Sequence, residues 1–163
     1  MSRTESALAQ SRLAGERSET NVLERVPGLR YVPDTEAMHY DAIVETTIDP
    51  SERLPFVGIC ILEQGVAVEI KSTGVVYGQQ QRNGRFYLRR GQHERLVGSA
   101  GVYLFAVCAP NDREIIAMKV VPATQIDHLI GNVTGGWREA GGDRDGYVQL
   151  TWTNIFEIEE VFE

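Results

Sequence analysis

The chain has 163 residues, 42% of them hydrophobic, and a net charge of −7, which suits a single domain over 1–163 whose core needs no disulfide or metal staple. Its longest apolar run, GVYLFAVCAP at 101–110, is about half of what a membrane helix requires, and MSRTESALAQS at the N-terminus has no apolar core of the secretory kind. A cytoplasmic protein with no membrane span is therefore expected.

In chain order, the residues from Ser6 to Val26 contain no Pro and one Gly, and Leu8, Leu13, Val22, Leu23 and Val26 fall mostly on one side of a helical wheel. This predicts a first helix, ended by Pro27-Gly28. After a polar loop, DAIVETTI at 41–48, FVGICIL at 56–62 and VAVEIKS at 66–72 read as three strands, with Gln64-Gly65 as the turn before the third. GQQQRNGRFYLRR at 78–90 reads as polar and flexible, and GQHERLVGS at 91–99 as a short helix. GVYLFAVCAP and REIIAMKVV are apolar strands split by Pro110-Asn111-Asp112, and PATQIDHLI is a helix with proline in its first turn. A glycine-rich loop, GNVTGGWREAGGDRDG, leads to the strand YVQLTW and an acidic tail. The pattern predicts an α/β domain with helices packed on a mixed sheet, a core over about 6–121 and a C-terminal extension over 122–163. Cys60 and Cys108 sit in strand-like apolar runs and are expected to be small buried hydrophobes in a reducing compartment.

Charge is unevenly spread. The 23 acids face 14 Arg and only 2 Lys, a lysine-poor pattern that resembles proteins of salt-loving organisms. Residues 71–110 carry Lys71 and five Arg against Glu94 alone, a balance of +5, while the segments on either side each stand at −6. A localised basic stretch in an acidic chain is the footprint of a partner made of phosphates.

The basic stretch begins beside a carboxylate. In VAVEIKS, period two puts Val66, Val68 and Ile70 on one face and Ala67, Glu69 and Lys71 on the other, so the two charges share a side roughly 7 Å apart along the strand. Alone, this pair reads as a solvated ion pair worth at most about 1 kcal/mol. Asp41 opens the apolar strand DAIV, at the rim of the sheet, although closing a turn is the commoner task of Asp. Glu16 lies seven residues before Leu23, within about 20° on the wheel, and so faces the sheet. Glu19 is similarly placed, and the wheel does not choose between them. Three converging carboxylates and one lysine would repel unless a cation neutralised them, and Mg²⁺ accepts hard oxygen ligands while leaving positions for phosphate. His39 alternates with Asp41, while His93 and His128 have no zinc spacing. DRDGYVQ at 143–149 hints at calcium but lacks the later ligands of that loop. No phosphate loop or nucleophile elbow occurs.

The order Glu16 on a first helix, Asp41 at a strand start and Glu69-Ile70-Lys71 on a later strand resembles the PD-(D/E)xK nuclease superfamily, and within it the archaeal Holliday junction resolvases. LAGERSETNVLERV looks like their opening helix, HYDAIV like their aspartate strand, VAVEIKST like their Glu-x-Lys strand, GRFYLRRGQHERL like the aromatic-basic segment leading into a helix, and GVYLFAV like their next strand, over about residues 11–121.

The resemblance implies a restriction-endonuclease-like mixed sheet flanked by helices and a metal-dependent DNA endonuclease acting in recombination or repair. Glu16, Asp41 and Glu69 would hold Mg²⁺, with Mn²⁺ as a substitute. Lys71 would be the catalytic lysine, and Gln92 would match a supporting polar position that is as readily an exposed helix-start glutamine. The implied substrate is branched or four-way junction DNA, cut symmetrically by a homodimer. Arg82, Arg85, Arg89 and Arg90, interleaved with Phe86 and Tyr87, would contact its phosphates. Two features depart from the resolvase pattern: 27 residues separate Asp41 from Glu69, a longer span than resolvases use, and the last forty residues have no counterpart there. Competing readings are a restriction- or repair-type nuclease of the same superfamily and a catalytically silent nucleic-acid-binding module.

Overall fold

Why one segment should be apolar at every position is answered by its neighbours. The strand β7 (Val102–Cys108) is buried along its whole length because it runs through the middle of a sheet covered on both faces, the setting in which strands lose their polar alternation. The computed structural model describes residues 19–33, 40–45, 63–77, 82–110, 113–139, 141 and 145–162. Within them β7 pairs in parallel with β3 (Ala67–Gly74) and antiparallel with β8 (Ile115–Pro122). On the other side of β3 lie β2 (Ala42–Val44) and then β1 (Leu29–Tyr31), both in antiparallel register. The five-stranded order is β1-β2-β3-β7-β8, a mixed sheet flanked by helices and consistent with a restriction-endonuclease-like α/β fold. The turn at Gln64-Gly65 leads into β3, with Gly65 N–H donating to the Val44 carbonyl at 2.8 Å. The expected strand over 56–62, with Cys60, lies outside the described residues; Cys108 is buried with a free thiol.

Parallel strands need a crossover, and the segment between β3 and β7 supplies one containing the helix α2 (Arg90–Gly98). The two faces of the sheet are packed differently. On one, residues 19–25 are helical (α1) and set Val22 and Val26, one turn apart, against Val68, Ile70, Leu104, Ala106 and Met118. On the other, Leu96 of α2 and Ile126 of α3 (Ala123–Leu129) pack with Tyr103, Phe105 and Ala117. Pro122 stands at the N-cap of α3, whose last turn continues into a π-helical turn, Ile130–Thr134, which the sequence pattern did not suggest.

One expectation needs correction. The stretch 78–90 is not simply polar and flexible, because β6 (Arg85–Arg89) is a regular strand with Phe86 and Leu88 buried and Arg85, Tyr87 and Arg89 exposed. Before it, β4 (Val76–Tyr77) and β5 (Arg82–Asn83) form a small hairpin. The partner of β6 is β9 (Tyr147–Thr151), in antiparallel register from Arg85↔Thr151 to Arg89↔Tyr147. Gly84, just before β6, lies so close to β3 that a Cβ there would strike the Gly74 carbonyl oxygen and the Thr73 hydroxyl. Glycine is what lets the ribbon lie on the sheet.

The acidic tail, whose conformation the sequence pattern left open, is structured and packed. Trp152 opens a 3-10 turn (Trp152–Asn154) and donates its indole N–H to the Val75 carbonyl at 2.8 Å, while Ile155, Phe156 and Val161 join the same core. The helix α4 (Ile158–Val161) opens with a reciprocal capping box between Glu157 at its N-cap and Glu160. Glu157 and Glu159 are exposed, while Glu160 reaches back to Lys119 on β8.

Candidate active site

Asp41 reaches the site because strand pairing ends beside it. The β2–β3 ladder stops at Ala42↔Val68, and Asp41 N–H donates to the Val68 carbonyl at 2.9 Å. The next inward-facing amide of β3 is that of Ile70, and it donates instead to Asp41 Oδ2 at 2.8 Å. The carboxylate thus replaces a missing strand, satisfying a backbone donor that burial would otherwise leave costly. Asp41 does not merely close a turn.

Glu69 is only 3% exposed, and its strand neighbour on β7 is Tyr103. Lys71 Nζ lies 3.3 Å from Glu69 Oε1, so the two side chains bend towards each other. The same ammonium donates to Gln92 Oε1 at 3.4 Å, and Gln92 Nε2 donates to Glu69 Oε2 at 3.2 Å. Glu69, Lys71 and Gln92 close a ring. Gln92 is therefore a member of the cluster rather than an exposed helix-start glutamine.

Burial holds the Glu69 carboxyl well above the usual carboxylate range; Lys71 opposes this, and Asp41, close enough to hydrogen-bond it, reinforces it. Two carboxyl groups in contact, one of them buried, are stable together when a proton or a cation lies between them. Both donors are hard oxygens, and a lysine adjoins them, so this set fits a divalent cation of the magnesium type. Among the described residues, no group of three or more His, Cys, Asp or Glu side chains forms a complete metal site. Glu16 lies outside the described residues. Glu19 is half-buried on α1 and has a partner of its own.

What fixes Gln92 was not legible beforehand. Arg89 at the N-cap of α2 makes no side-chain cap, and the Gly91 amide is instead capped by Asp145 Oδ2 at 2.8 Å. The segment that hinted at calcium thus supplies a helix cap from 54 positions away. His93, the next residue, is fully buried. Its Nε2 lies 2.9 Å from Asp127 Oδ1 and its Nδ1 2.9 Å from the Tyr103 hydroxyl. In the neutral ring Nε2–H donates to the carboxylate and Nδ1 accepts from the tyrosine, whose proton is held first by burial and then by Glu69 and Asp127. With both nitrogens engaged and its ring between Tyr103 and Trp137, His93 ties α2 to β7 and α3. His128 is exposed, and His39 lies outside the described residues.

The four arginines are exposed. Arg85 and Arg89 share the outer face of β6, and Arg82 lies on β5. Arg90 begins α2 and pairs with Glu94 at 3.1 Å, one turn on. The basic stretch and the Glu69–Lys71–Gln92 ring are joined through a single turn of helix.

The family pattern of the PD-(D/E)XK nuclease superfamily domain matches residues 4–157. The chain belongs to that superfamily, and it is a nuclease by family. The match extends through β9 and the 3-10 turn, well past residue 121, where the sequence resemblance to resolvases ran out. No curated protein and no solved structure matches the chain. Nucleases of this superfamily usually use divalent metal ions, and their substrates are nucleic acids. No helix among the described residues is long and apolar enough to cross a membrane.

Proposed function

We propose that the protein is a Mg²⁺-dependent endodeoxyribonuclease that hydrolyses phosphodiester bonds in branched DNA in the manner of the Holliday junction resolvases, as a homodimer making two symmetric cuts. The observation that supports the chemistry is the meeting of Asp41, Glu69, Lys71 and Gln92 in one hydrogen-bonded cluster. The motif order in the sequence favours the junction substrate.

In this reading Asp41 and Glu69, with Glu16 from beyond the described residues, are the oxygen donors for the cation. When bound, Mg²⁺, or Mn²⁺ in its place, would supply Lewis-acid activation of water and neutralise charge at the phosphate. Lys71 presents an ammonium that orients the attacking water and stabilises the charge building on phosphorus. Gln92 holds that ammonium beside Glu69, so the lysine does not swing into solvent. Arg82, Arg85, Arg89 and Arg90 bind backbone phosphates and set the register of the strand.

The test is incubation of the protein with a labelled four-way junction and a matching linear duplex, with and without Mg²⁺. Paired symmetric nicks in the junction alone are expected, with Asp41→Asn and Lys71→Ala both slow. Cleavage of junction and duplex alike would replace the resolvase by a restriction- or repair-type nuclease. Equal rates for the variants and the unmodified protein would remove the proposed site.

A further inference from the structure

The β6–β9 ribbon has an outer face that the cluster around Glu69 does not use. Neither strand contains a carboxylate, in a chain with 23 acids. The outward side chains are Arg85, Tyr87 and Arg89 on one strand and Tyr147, Gln149 and Thr151 on the other. Arg138 joins them from the segment that bridges to Tyr147 along the free side of β9. Arg85 and Arg138 both line a pocket of about 300 Å³ floored by β9, with Gln149, Thr151 and Asn154 as further polar walls. That volume is at the small end of ligand pockets. Among the described residues, no carboxylate pairs with Arg85 or Arg138; Arg85 reaches only the Gln149 amide, at 3.4 Å. Beside the pocket, Tyr87 and Tyr147 stack with centroids 5.4 Å apart, and Tyr87 is 45% exposed.

Guanidinium groups around a polar pocket, with no carboxylate partner among the described residues, match phosphate, because Arg binds phosphate oxygens in a planar fork. An exposed aromatic beside them matches a nucleobase with a free face, which a paired and stacked duplex does not offer. Arg85 and Arg89 are four residues apart on one side of a strand, about 13 Å, so the face spans several nucleotides. The ribbon also runs directly into α2, which carries Gln92.

We propose that the outer face of the β6–β9 ribbon is a second binding surface for an unpaired stretch of nucleic acid, with phosphate in the Arg85–Arg138 pocket and a base against the Tyr87–Tyr147 pair. This rests on the nuclease reading for its biological sense and extends it to Arg138, Tyr147 and Gln149. It gives the active site an added grip on branched substrates whose strands open beside the scissile bond.

The experiment is fluorescence anisotropy in buffer free of divalent cations, using a labelled oligothymidylate of about 12 nucleotides and the corresponding duplex. The proteins are the unmodified chain, Arg138→Ala, Arg138→Glu, Tyr87→Ala and Lys71→Ala, with folding checked by circular dichroism. The single strand is expected to bind more tightly than the duplex. Arg138→Ala should weaken it about tenfold and lower the slope of log Kd against log salt by about 0.7. Tyr87→Ala should weaken binding about tenfold with the salt slope unchanged. Single-strand binding by both Arg138 variants with unmodified affinity and slope, or tighter binding of the duplex by the unmodified chain, would overturn the proposal. Cleavage assays separate it from the nuclease reading. Loss of cutting in Lys71→Ala with Arg138 variants binding normally removes the ribbon surface alone. Arg138-dependent binding by a chain whose cutting ignores Lys71 removes the proposed catalytic cluster and leaves the ribbon surface in place.

Discussion

The chain has two lysines, and each sits on a strand of the same sheet beside a glutamate. Lys119 on β8 donates to Glu160 Oε1 at 3.1 Å and to the Ile155 carbonyl at 2.9 Å, and lies 5.9 Å above the Phe156 ring. Lys71 on β3 makes a pair of nearly the same length with Glu69. The carboxyl groups respond in opposite directions. Burial alone would raise Glu160, but its bonds from the Glu157 amide and from Lys119 outweigh that and lower it. Glu69 is raised, because deeper burial and Asp41 outweigh its lysine. The Lys119 pair is comfortable as an anion and a cation, and it staples the C-terminal helix to the sheet. In the Lys71 pair, burial and Asp41 make the acid hold its proton more tightly, against the pull of the lysine. On the proposed reading, that difference separates a structural ion pair from one that receives a cation.

The sharpest way to break the comparison is to remove each lysine. Lys71→Ala is expected to slow DNA cleavage by about 10² to 10³ with little change in the denaturant midpoint. Gln92→Ala, which frees Lys71 without deleting it, should cost about tenfold in kcat with KM nearly constant, the pattern of lost positioning rather than lost binding. Lys119→Met should leave the cleavage rate of folded protein unchanged and lower stability by about 1 kcal/mol, read from urea unfolding.

The smallest effects lie in pH. Glu160 is lowered in the fold, so its contribution to stability is present above the ordinary glutamate pKa and is lost as pH falls through its folded value. Glu160→Gln should flatten that acid limb. Glu69 is raised, so the fold is favoured below the ordinary glutamate pKa and loses that advantage as pH rises towards its folded value. Glu69→Gln should therefore raise the metal-free melting temperature at neutral pH. Mg²⁺ should raise the melting temperature of the unmodified protein and not of Glu69→Gln, since a ligand stabilises only the state that binds it. If Glu160→Gln and Glu69→Gln moved the pH profile in the same direction, the contrast between the two pairs would be lost.

Much of the sheet could be read from the chain because its strands carry local signals. VAVEIKS alternates, GVYLFAVC is continuously apolar, and both became strands of the central sheet. The same alternation placed Glu69 and Lys71 on one side correctly. What it could not give was depth: whether that side faces water depends on α2 and the β6–β9 ribbon lying over it. RFYLR also alternates, yet the arginines and preceding polar residues masked a strand whose partner is about sixty positions away. The cap from Asp145 to Gly91 was hidden for the same reason, since a single aspartate carries no mark of which helix it will meet. Gln92 was picked out only through the family resemblance; its contacts with both Glu69 and Lys71 come from the packing of α2. Glu16 lies outside the described residues, and its part in the cluster remains a proposal.

The lacing of β6 to β9 also sets the order in which a working molecule can be made. During synthesis, β2 and β3 leave the ribosome before their sheet partner β7, with both sides of the Asp41–Ile70 contact already made. The helix bearing Gln92 waits for Asp145, and the arginine-bearing strand waits for residues 147–151, so the carboxylates and the lysine are made long before the parts that hold them in place. On the proposed reading, a nascent chain would carry Asp41, Glu69 and Lys71 before the ribbon and helix that order them have been made, and the cluster would be completed only once β9 pairs with β6.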